Sequence, residues 1–188
     1  MRITDLLDAR SISLDGAPKS KSEALDQIVD LMVKSEKIND KEAYRKQVYA
    51  REEESTTGIG EGIAIPHGKC DAVTKPGLAA MVVKDGVEFD SLDGEPVTLM
   101  FLIAAPNTED NIHLDVLSKL SVLLMNEEFT ESLRNASSVE EFMSIINEAD
   151  EKEASIDERL AGEGSEVVEE AKGKVKILAV TSCPTGIA

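Results

Sequence analysis

The segment 58–69, GIGEGIAIPHGK, places His67 between a proline and a glycine, and His67 is one of only two histidines in the 188 residues. An imidazole has an ordinary pKa of about 6.5, so its neutral, nucleophilic form is abundant at physiological pH. A histidine on a turn after a short strand is displayed more often than it is packed into a core. The segment therefore favours a histidine that accepts a phosphoryl group, with a plain turn histidine as the alternative.

A phosphoryl group on His67 would need a cation or N–H donors around its oxygens. Arg51, at the end of a predicted helix upstream, is one candidate; the alternative is a solvated arginine paired with Glu54. His113, near the start of a later predicted helix, could donate a hydrogen bond to the same anion. It could equally be a boundary histidine that fills a crevice.

Other residues with reactive side chains give weaker signals. The glycines at 58, 60 and 62 follow no predicted strand and no GK[ST] is present, which argues against a nucleotide loop. Cys183 follows a predicted strand, and loop N–H groups there could stabilise a thiolate or a bound phosphate; a buried free thiol is the alternative. A metal site built from His67, His113 and Cys70 lacks local ligand spacing, so neither a metal nor a cofactor is predicted.

The composition excludes several classes of function. The formal net charge is −17, from 37 acidic and 20 basic residues, which argues against nucleic acid as a partner. Aromatic residues make up 3% and tryptophan is absent, so a carbohydrate-stacking groove is not expected. The two cysteines form no CxxC pair, and the sequence shows neither a signal peptide nor an apolar stretch of membrane-spanning length. A cytoplasmic location is predicted.

Hydrophobic periodicity predicts alternating helices and strands. Helices are favoured over 21–35, 40–55, 113–125, 127–135 and 139–149, and strands over 78–84 and 97–105. Ser20 or Ser22 is expected to cap the first helix and Asn39 the second. Alternation of this kind predicts an α/β domain that ends near residue 150.

The composition changes after residue 150. Residues 151–173 are acidic, carry Gly and Ser and have few large apolar side chains, which predicts a flexible linker. Residues 174–188 begin with the strong strand signal KVKILAVT and continue as SCPTGIA, which is typical of the opening of a second domain. The expected division is a domain over 1–150, a linker over 151–173 and a fragment over 174–188 that is too short to fold alone.

Two sequence motifs resemble known protein modules. GIGEGIAIPHGK, with AREEESTTG before it and NIHLDVLSKLSVLL after it, resembles the enzyme IIA domain of the bacterial sugar phosphotransferase system, of the fructose–mannitol type. This resemblance covers residues 1 to about 150. KVKILAVTSCPTGIA separately resembles the start of a fructose-type enzyme IIB domain. The fold implied is a single mixed β-sheet flanked by helices on both faces, with His67 at or just beyond a strand end.

The resemblance implies a phosphoryl relay. The carrier protein HPr, phosphorylated by enzyme I from phosphoenolpyruvate, would phosphorylate His67 at Nε2. The group would then pass to the enzyme IIB cysteine, here Cys183, and on to fructose entering through a membrane enzyme IIC domain. Arg51 and His113 match the family's supporting arginine and second histidine, implied to clamp the phosphoryl oxygens and to orient His67. Glu61 is implied to support the loop.

Three other functions stay open at this stage. A regulatory enzyme IIA of the nitrogen-control type would use the same histidine but act through protein contacts. It is disfavoured by the linker and the IIB-like segment, and a mannitol-type relay is disfavoured by the fructose-like cysteine loop. A metal-binding or purely structural α/β module would need no phosphorylation.

Overall fold

The computed structural model describes residues 2–108 and 111–170, with backbone only for 112, 113 and 161–170. The predictions for Cys183 and the fragment 174–188 lie outside the described residues. The helices are α1 (Ile3–Leu6), α2 (Lys21–Lys34), α3 (Lys41–Glu54), α4 (Ile112–Leu124), α5 (Glu127–Arg134) and α6 (Val139–Glu170). The strands are β1 (Leu7–Ser13), β2 (Gly58–Gly60), β3 (Ile63–Ala64), β4 (His67–Lys69), β5 (Gly77–Val87) and β6 (Val97–Ala105).

The described strands form one mixed sheet in the order β1-β5-β6-β3-β2, and β4 also pairs with β6. The β1–β5, β3–β6 and β4–β6 pairs are parallel, whereas β5–β6 and β2–β3 are antiparallel. Strands β3 and β4 lie in line along the same edge of β6, separated by Ile65 and Pro66. Strand β6 is almost wholly apolar and buried, as expected of a central strand that is covered on both faces.

Helices cover both faces of the sheet. One face packs against α2 and α3, and its core includes Leu25, Ile28, Met32, Tyr44, Val48, Met100 and Leu102. The other face packs against α1, α4, α5 and the first turns of α6, with Leu99, Phe101, Ile103, Val116, Leu120 and Phe142 in its core. The prediction of a single mixed sheet flanked by helices on both faces is confirmed.

The first two long helices begin where side chains cap them. Ser20 accepts a hydrogen bond from the Glu23 N–H, as predicted. The second cap is Asp40, whose side chain accepts from the Ala43 N–H at 3.1 Å, so the prediction of Asn39 is wrong by one residue. Both residue types are good caps, and the backbone geometry at Asp40 decides between them.

Helix α6 differs from the sequence-based prediction for residues 151–173. It runs from Val139 to Glu170, so residues 151–170 are helical rather than an irregular linker. Seven of these twenty residues are glutamate, a strong helix former, which outweighs the two glycines. The first of two compact units ends at Asp150. Among the described helices, none has the length and apolar composition needed to cross a bilayer.

Candidate functional site

His67 is the first residue of β4 and pairs in register with Ile103 of β6. The Ile103 N–H donates to the Pro66 carbonyl at 3.0 Å, so the backbone just before His67 is tied to the central strand. The histidine side chain is half-buried. His67 therefore lies at a strand end, as predicted, where hydrogen bonds to β6 hold its backbone and its side chain is partly open to solvent.

The His67 ring is oriented by one backbone contact. Its Nδ1 lies 3.0 Å from the carbonyl oxygen of Ile65. Because a carbonyl oxygen only accepts, Nδ1 must carry the proton in this hydrogen bond. The neutral ring is then the tautomer with a free lone pair on Nε2. The contact thus assigns the nucleophilic role to Nε2.

The alternation along β4 sets the direction of each side chain. Gly68 faces α3, because a Cβ added there would lie 3.1 Å from Tyr44 Cε2 and 3.1 Å from Val48 Cγ2. His67 points to the opposite face, the one on which Ile103 packs with Val116 of α4. His67 is therefore on the face of the sheet that α4 covers.

The start of α4 lies at the same end of the sheet as His67. Strand β6 ends at Ala105, two residues beyond the partner of His67, and α4 begins at Ile112. His113 is in the first turn of α4, three residues before the buried Val116. The structure describes His113 by its backbone alone, so contact between the two histidines stays a prediction.

Arg51 is brought to the same sheet edge by α3. Helix α3 packs directly on β4 through Tyr44 and Val48 against Gly68, and Arg51 follows Val48 by one turn. The Nη1 of Arg51 donates to the Ser55 carbonyl at 3.2 Å and to the Ser55 hydroxyl at 3.3 Å. A guanidinium has five N–H donors, so these contacts leave donors for an anion. Pairing of Arg51 with Glu54, the alternative, is not among the described ion pairs.

Glu52 anchors the segment that carries Arg51, and sequence reasoning missed it. Its side chain is buried, accepts from the Thr57 N–H at 2.9 Å and forms an ion pair with Lys21 at 2.9 Å. The sequence did carry a signal for the burial of Glu52, because it follows Tyr44 and Val48 at intervals of four on one face of the helix. Glu52 thus holds the end of α3 to the loop that leads into β2.

Glu61 is not brought to His67. It occupies the turn between β2 and β3, where its N–H donates to Asp93 Oδ2 at 2.8 Å and its carbonyl accepts from Arg134 Nη2 at 2.6 Å. Ile63 pairs with Leu99 of β6, and His67 pairs with Ile103, four residues further along the same strand. At roughly 3.3 Å per strand residue, Ile63 and His67 are about 13 Å apart along the sheet. The main chain of Glu61 fixes a turn at the other end of the strand pair.

The remaining candidates are placed as follows. Cys70 is buried, as expected of a residue without a site of its own. Ile59 and Leu114 are exposed apolar side chains, whereas Ile63 is only 2% exposed. Among the side chains that the structure describes, no three potential ligands cluster as a metal site.

The sequence profile described as "Phosphoenolpyruvate-dependent sugar phosphotransferase system, EIIA 2" matches residues 5–149. The chain belongs to this family. Domains of the family are phosphoryl-transfer components of the sugar phosphotransferase system, and His67 with its Nε2 lone pair lies inside the matched range. Over all 188 residues the chain is 45% identical to the fructose-specific EIIABC component of Bacillus subtilis (strain 168) and spans 29% of that protein's length.

Solved structures of the family share the fold. The nitrogen regulatory protein IIA-Ntr from Neisseria meningitidis aligns with a TM-score of 0.72 at 33% identity, over 77% of this chain and 98% of that one. A chain in the complex of enzyme IIAMTL and phosphorylated enzyme IIBMTL from Escherichia coli aligns with a TM-score of 0.66 at 28% identity, over 76% of this chain and 99% of that one. The EIIA 2 fold is therefore found in sugar-specific and regulatory proteins alike.

Proposed function

We propose that His67 accepts a phosphoryl group at Nε2 from phosphorylated HPr and passes it to the cysteine of an enzyme IIB domain during fructose uptake. The observation that carries this proposal is the hydrogen bond from Nδ1 of His67 to the Ile65 carbonyl. It supplies the tautomer that a nucleophilic Nε2 requires, on a half-buried side chain that a second protein can reach.

In the first step, the Nε2 lone pair of His67 attacks the phosphorus atom on the donor's phosphohistidine. A new Nε2–P bond forms while the donor's N–P bond breaks, and that electron pair returns to the donor's ring. The Nδ1 proton stays on His67, where the Ile65 carbonyl stabilises the positive charge that develops on the ring. In the second step a cysteine thiolate attacks the same phosphorus, and the electron pair of the Nε2–P bond returns to His67.

Arg51 and His113 have supporting roles in this proposal. Arg51 binds the phosphoryl oxygens from the α3 side of the sheet edge. Its guanidinium is held by Ser55, and the end of α3 is held by the bond between Glu52 and the Thr57 N–H. His113 acts from the α4 side, as a hydrogen-bond donor to the phosphoryl group or by orienting His67. Catalysis of phosphoryl transfer is largely positioning and charge stabilisation, which matches these roles.

The later steps belong to domains beyond 1–150. We assign residues 151–173 to a connecting segment and 174–188 to the start of an enzyme IIB domain, with Cys183 as the next phosphoryl acceptor. The Bacillus subtilis relative, an EIIABC component, is similar across this whole region. A membrane enzyme IIC domain in the same protein would hold the cytoplasmic EIIA domain at the inner face of the membrane.

A regulatory role of the nitrogen type is the second candidate, because the fold is shared with the nitrogen regulatory protein IIA-Ntr of Neisseria meningitidis. That likeness covers 77% of this chain, whereas the similarity to the fructose-specific protein continues through residue 188. The sugar relay is therefore the better supported function.

The experiment is transfer of label from radioactive phosphoenolpyruvate through enzyme I and HPr to the wild-type chain and to His67→Ala. Acid-labile, base-stable label on the wild type and none on the variant is the expected result. His113→Ala removes the other histidine and should still take label, although more slowly, because His113 supports the site without accepting the phosphoryl group. Label that persists in His67→Ala would move the acceptor to another residue, and an unlabelled wild type beside a working control acceptor would contradict the relay.

The same labelled chain separates the two candidate functions. When a complete fructose-type IIB domain is added, a sugar relay loses its label to the IIB cysteine. A regulatory protein would keep its label under those conditions.

A further inference from the structure

Lys69 lies on the same face of β4 as His67. The two residues pair with Ala105 and Ile103 of β6, and Gly68 between them faces the other way, toward α3. Side chains two residues apart on a strand point in the same direction, with Cα atoms about 7 Å apart. A lysine side chain is long enough for its ammonium group to reach a phosphoryl group on the neighbouring histidine.

The ammonium group of Lys69 has no partner among the side chains that the structure describes. Two other half-buried lysines, Lys21 and Lys37, are engaged, since Lys21 pairs with Glu52 and Lys37 donates to the Leu6 carbonyl. Lys69 is half-buried, and the chain as a whole has a formal charge of −17. A half-buried cation without a carboxylate partner among the described residues is available for another anion.

We propose that Lys69 binds the phosphoryl oxygens of phosphorylated His67 through its ammonium group. The inference rests on the proposed function and adds a cation to that site. Arg51 approaches the sheet edge from the α3 side, whereas Lys69 extends from β4 itself on the α4 side. The two cations thus reach the phosphoryl group from different directions, and together they offset the charge of its dianion.

The two cations differ in what they contribute. The Arg51 guanidinium is fixed by Ser55, so its N–H donors have a set direction. An ammonium group on a flexible stem is a point charge that can follow the phosphoryl group as it moves from the donor to Nε2 and on to the acceptor. Lys69 would therefore stabilise the phosphorylated state and both transfer steps.

The test compares Lys69→Gln with Lys84→Gln and Lys69→Arg. Lys84 is an exposed lysine near the other end of the sheet, so Lys84→Gln makes the same change in net charge away from His67. The transfer rate from phosphorylated HPr is measured for each variant. We expect Lys69→Gln to be slower than Lys84→Gln by roughly ten- to a hundredfold, the range for losing one hydrogen bond to a charged group. Lys69→Arg should recover most of the rate.

A second measurement does not involve the donor protein. Phosphorus NMR on the isolated phosphorylated chain follows the titration of the phosphoryl group with pH. Because a nearby cation favours the dianion, loss of Lys69 should move the midpoint to higher pH, whereas Lys84→Gln should leave it in place. Thermal melting of the variants checks that each is folded.

The outcomes separate the two proposals. If wild type is labelled and Lys69→Gln matches Lys84→Gln in both rate and titration midpoint, Lys69 does not bind the phosphoryl group, although the relay stands. If the rate falls while the midpoint is unchanged, Lys69 acts in docking the donor and the proposal is overturned. If the wild type takes no label, the proposed function fails and this inference fails with it.

Discussion

Nδ1 of His67 donates to the carbonyl oxygen of Ile65, two residues earlier, at 3.0 Å. Ile65 belongs to the short segment that joins β3 to β4, and His67 is the first residue of β4. This part of the chain is tied to β6 by the hydrogen bond to the Pro66 carbonyl and by the pairing of β4 with β6. The ring orientation is therefore a property of the backbone and does not depend on another side chain. It places the reactive nitrogen on the side away from Ile65.

The first prediction concerns the chemical identity of the phosphorylated residue. Since Nδ1 is occupied as a donor, the phosphoryl group should be attached to Nε2. Phosphorus and nitrogen NMR of the labelled chain distinguish the two isomers directly. A phosphoryl group on Nδ1 would mean that the ring turns over before it reacts, and would contradict the assignment.

The second prediction concerns Arg51. Arg51→Gln should slow transfer by roughly ten- to a hundredfold, because one charge-assisted contact to the phosphoryl oxygens is lost. Arg45→Gln is the matched control on the same helix, where the arginine pairs with Asp26 at a partly exposed position. That surface ion pair should contribute little to stability, and Arg45→Gln should leave the transfer rate unchanged. Equal rates for the two variants would remove Arg51 from the site.

Periodicity was sufficient to predict the long elements around the site. Helices α2 and α3 and strands β5 and β6 each have a continuous apolar face or run, and the structure places all four within a few residues of the predicted bounds. Strand β1, LDARSIS, was not predicted, because its sequence has neither a run nor a sustained alternation of apolar residues. Its extended form depends on pairing with β5, which is a contact between distant parts of the chain.

The site itself was only partly predictable. The position of His67 between proline and glycine indicated display, but its tautomer depends on the distance to the Ile65 carbonyl, which no residue pattern encodes. Lys69 became a candidate only when the register with β6 placed it on the face of His67. The family resemblance implied that Glu61 supports the loop, and the structure places it in the turn between β2 and β3, away from the histidine.

The third prediction tests the packing of α3 on β4. Gly68→Ala would put a Cβ 3.1 Å from both Tyr44 and Val48, which is closer than ordinary contact. We expect a loss of stability of about 1–3 kcal/mol, typical of overpacking, and slower phosphoryl transfer as α3 and Arg51 shift outward. Thermal melting and the transfer assay measure the two effects. Adding Val48→Ala removes one of the two clashes, so the double variant should recover part of the rate; no recovery would contradict this mechanism.

The fourth prediction tests Glu52, the buried carboxylate behind Arg51. Glu52→Ala leaves the Thr57 N–H without its partner and takes from Lys21 the nearer of its two carboxylates, since Asp90 lies 3.8 Å from the ammonium group. Because the Lys21 side chain is 25% exposed and keeps Asp90, we expect a loss of about 1–3 kcal/mol, the cost of leaving a buried group unsatisfied. Glu53→Ala, at the neighbouring exposed position, is the control and should be nearly neutral. Urea denaturation gives the free energy of unfolding of each variant. Similar values for the two would mean that Glu52 does not anchor the end of α3.

The last prediction concerns the turn that Asp93 holds at the other end of the strand pair. The backbone N–H groups of Glu61 and Glu95 donate to its carboxylate and hold the pKa of Asp93 below its ordinary value. A carboxyl whose folded-state pKa is depressed contributes stability that is present above the unfolded-state pKa of about 3.9 and is lost as the pH falls toward the folded-state value. Asp93→Asn should therefore melt below the wild type at pH 7.

The difference between the two proteins should shrink as the pH falls below about 4, because the wild-type carboxylate then gains its proton. Asp85→Asn, an exposed aspartate in β5, is the control and should show no such pH dependence. Melting temperatures measured from pH 7 down to about 3 provide the comparison. A constant gap between wild type and Asp93→Asn over this range would show that the two N–H groups do not favour the charged form. Because Glu61 is held by this contact and lies away from His67, phosphoryl transfer by Asp93→Asn at pH 7 should match the wild type.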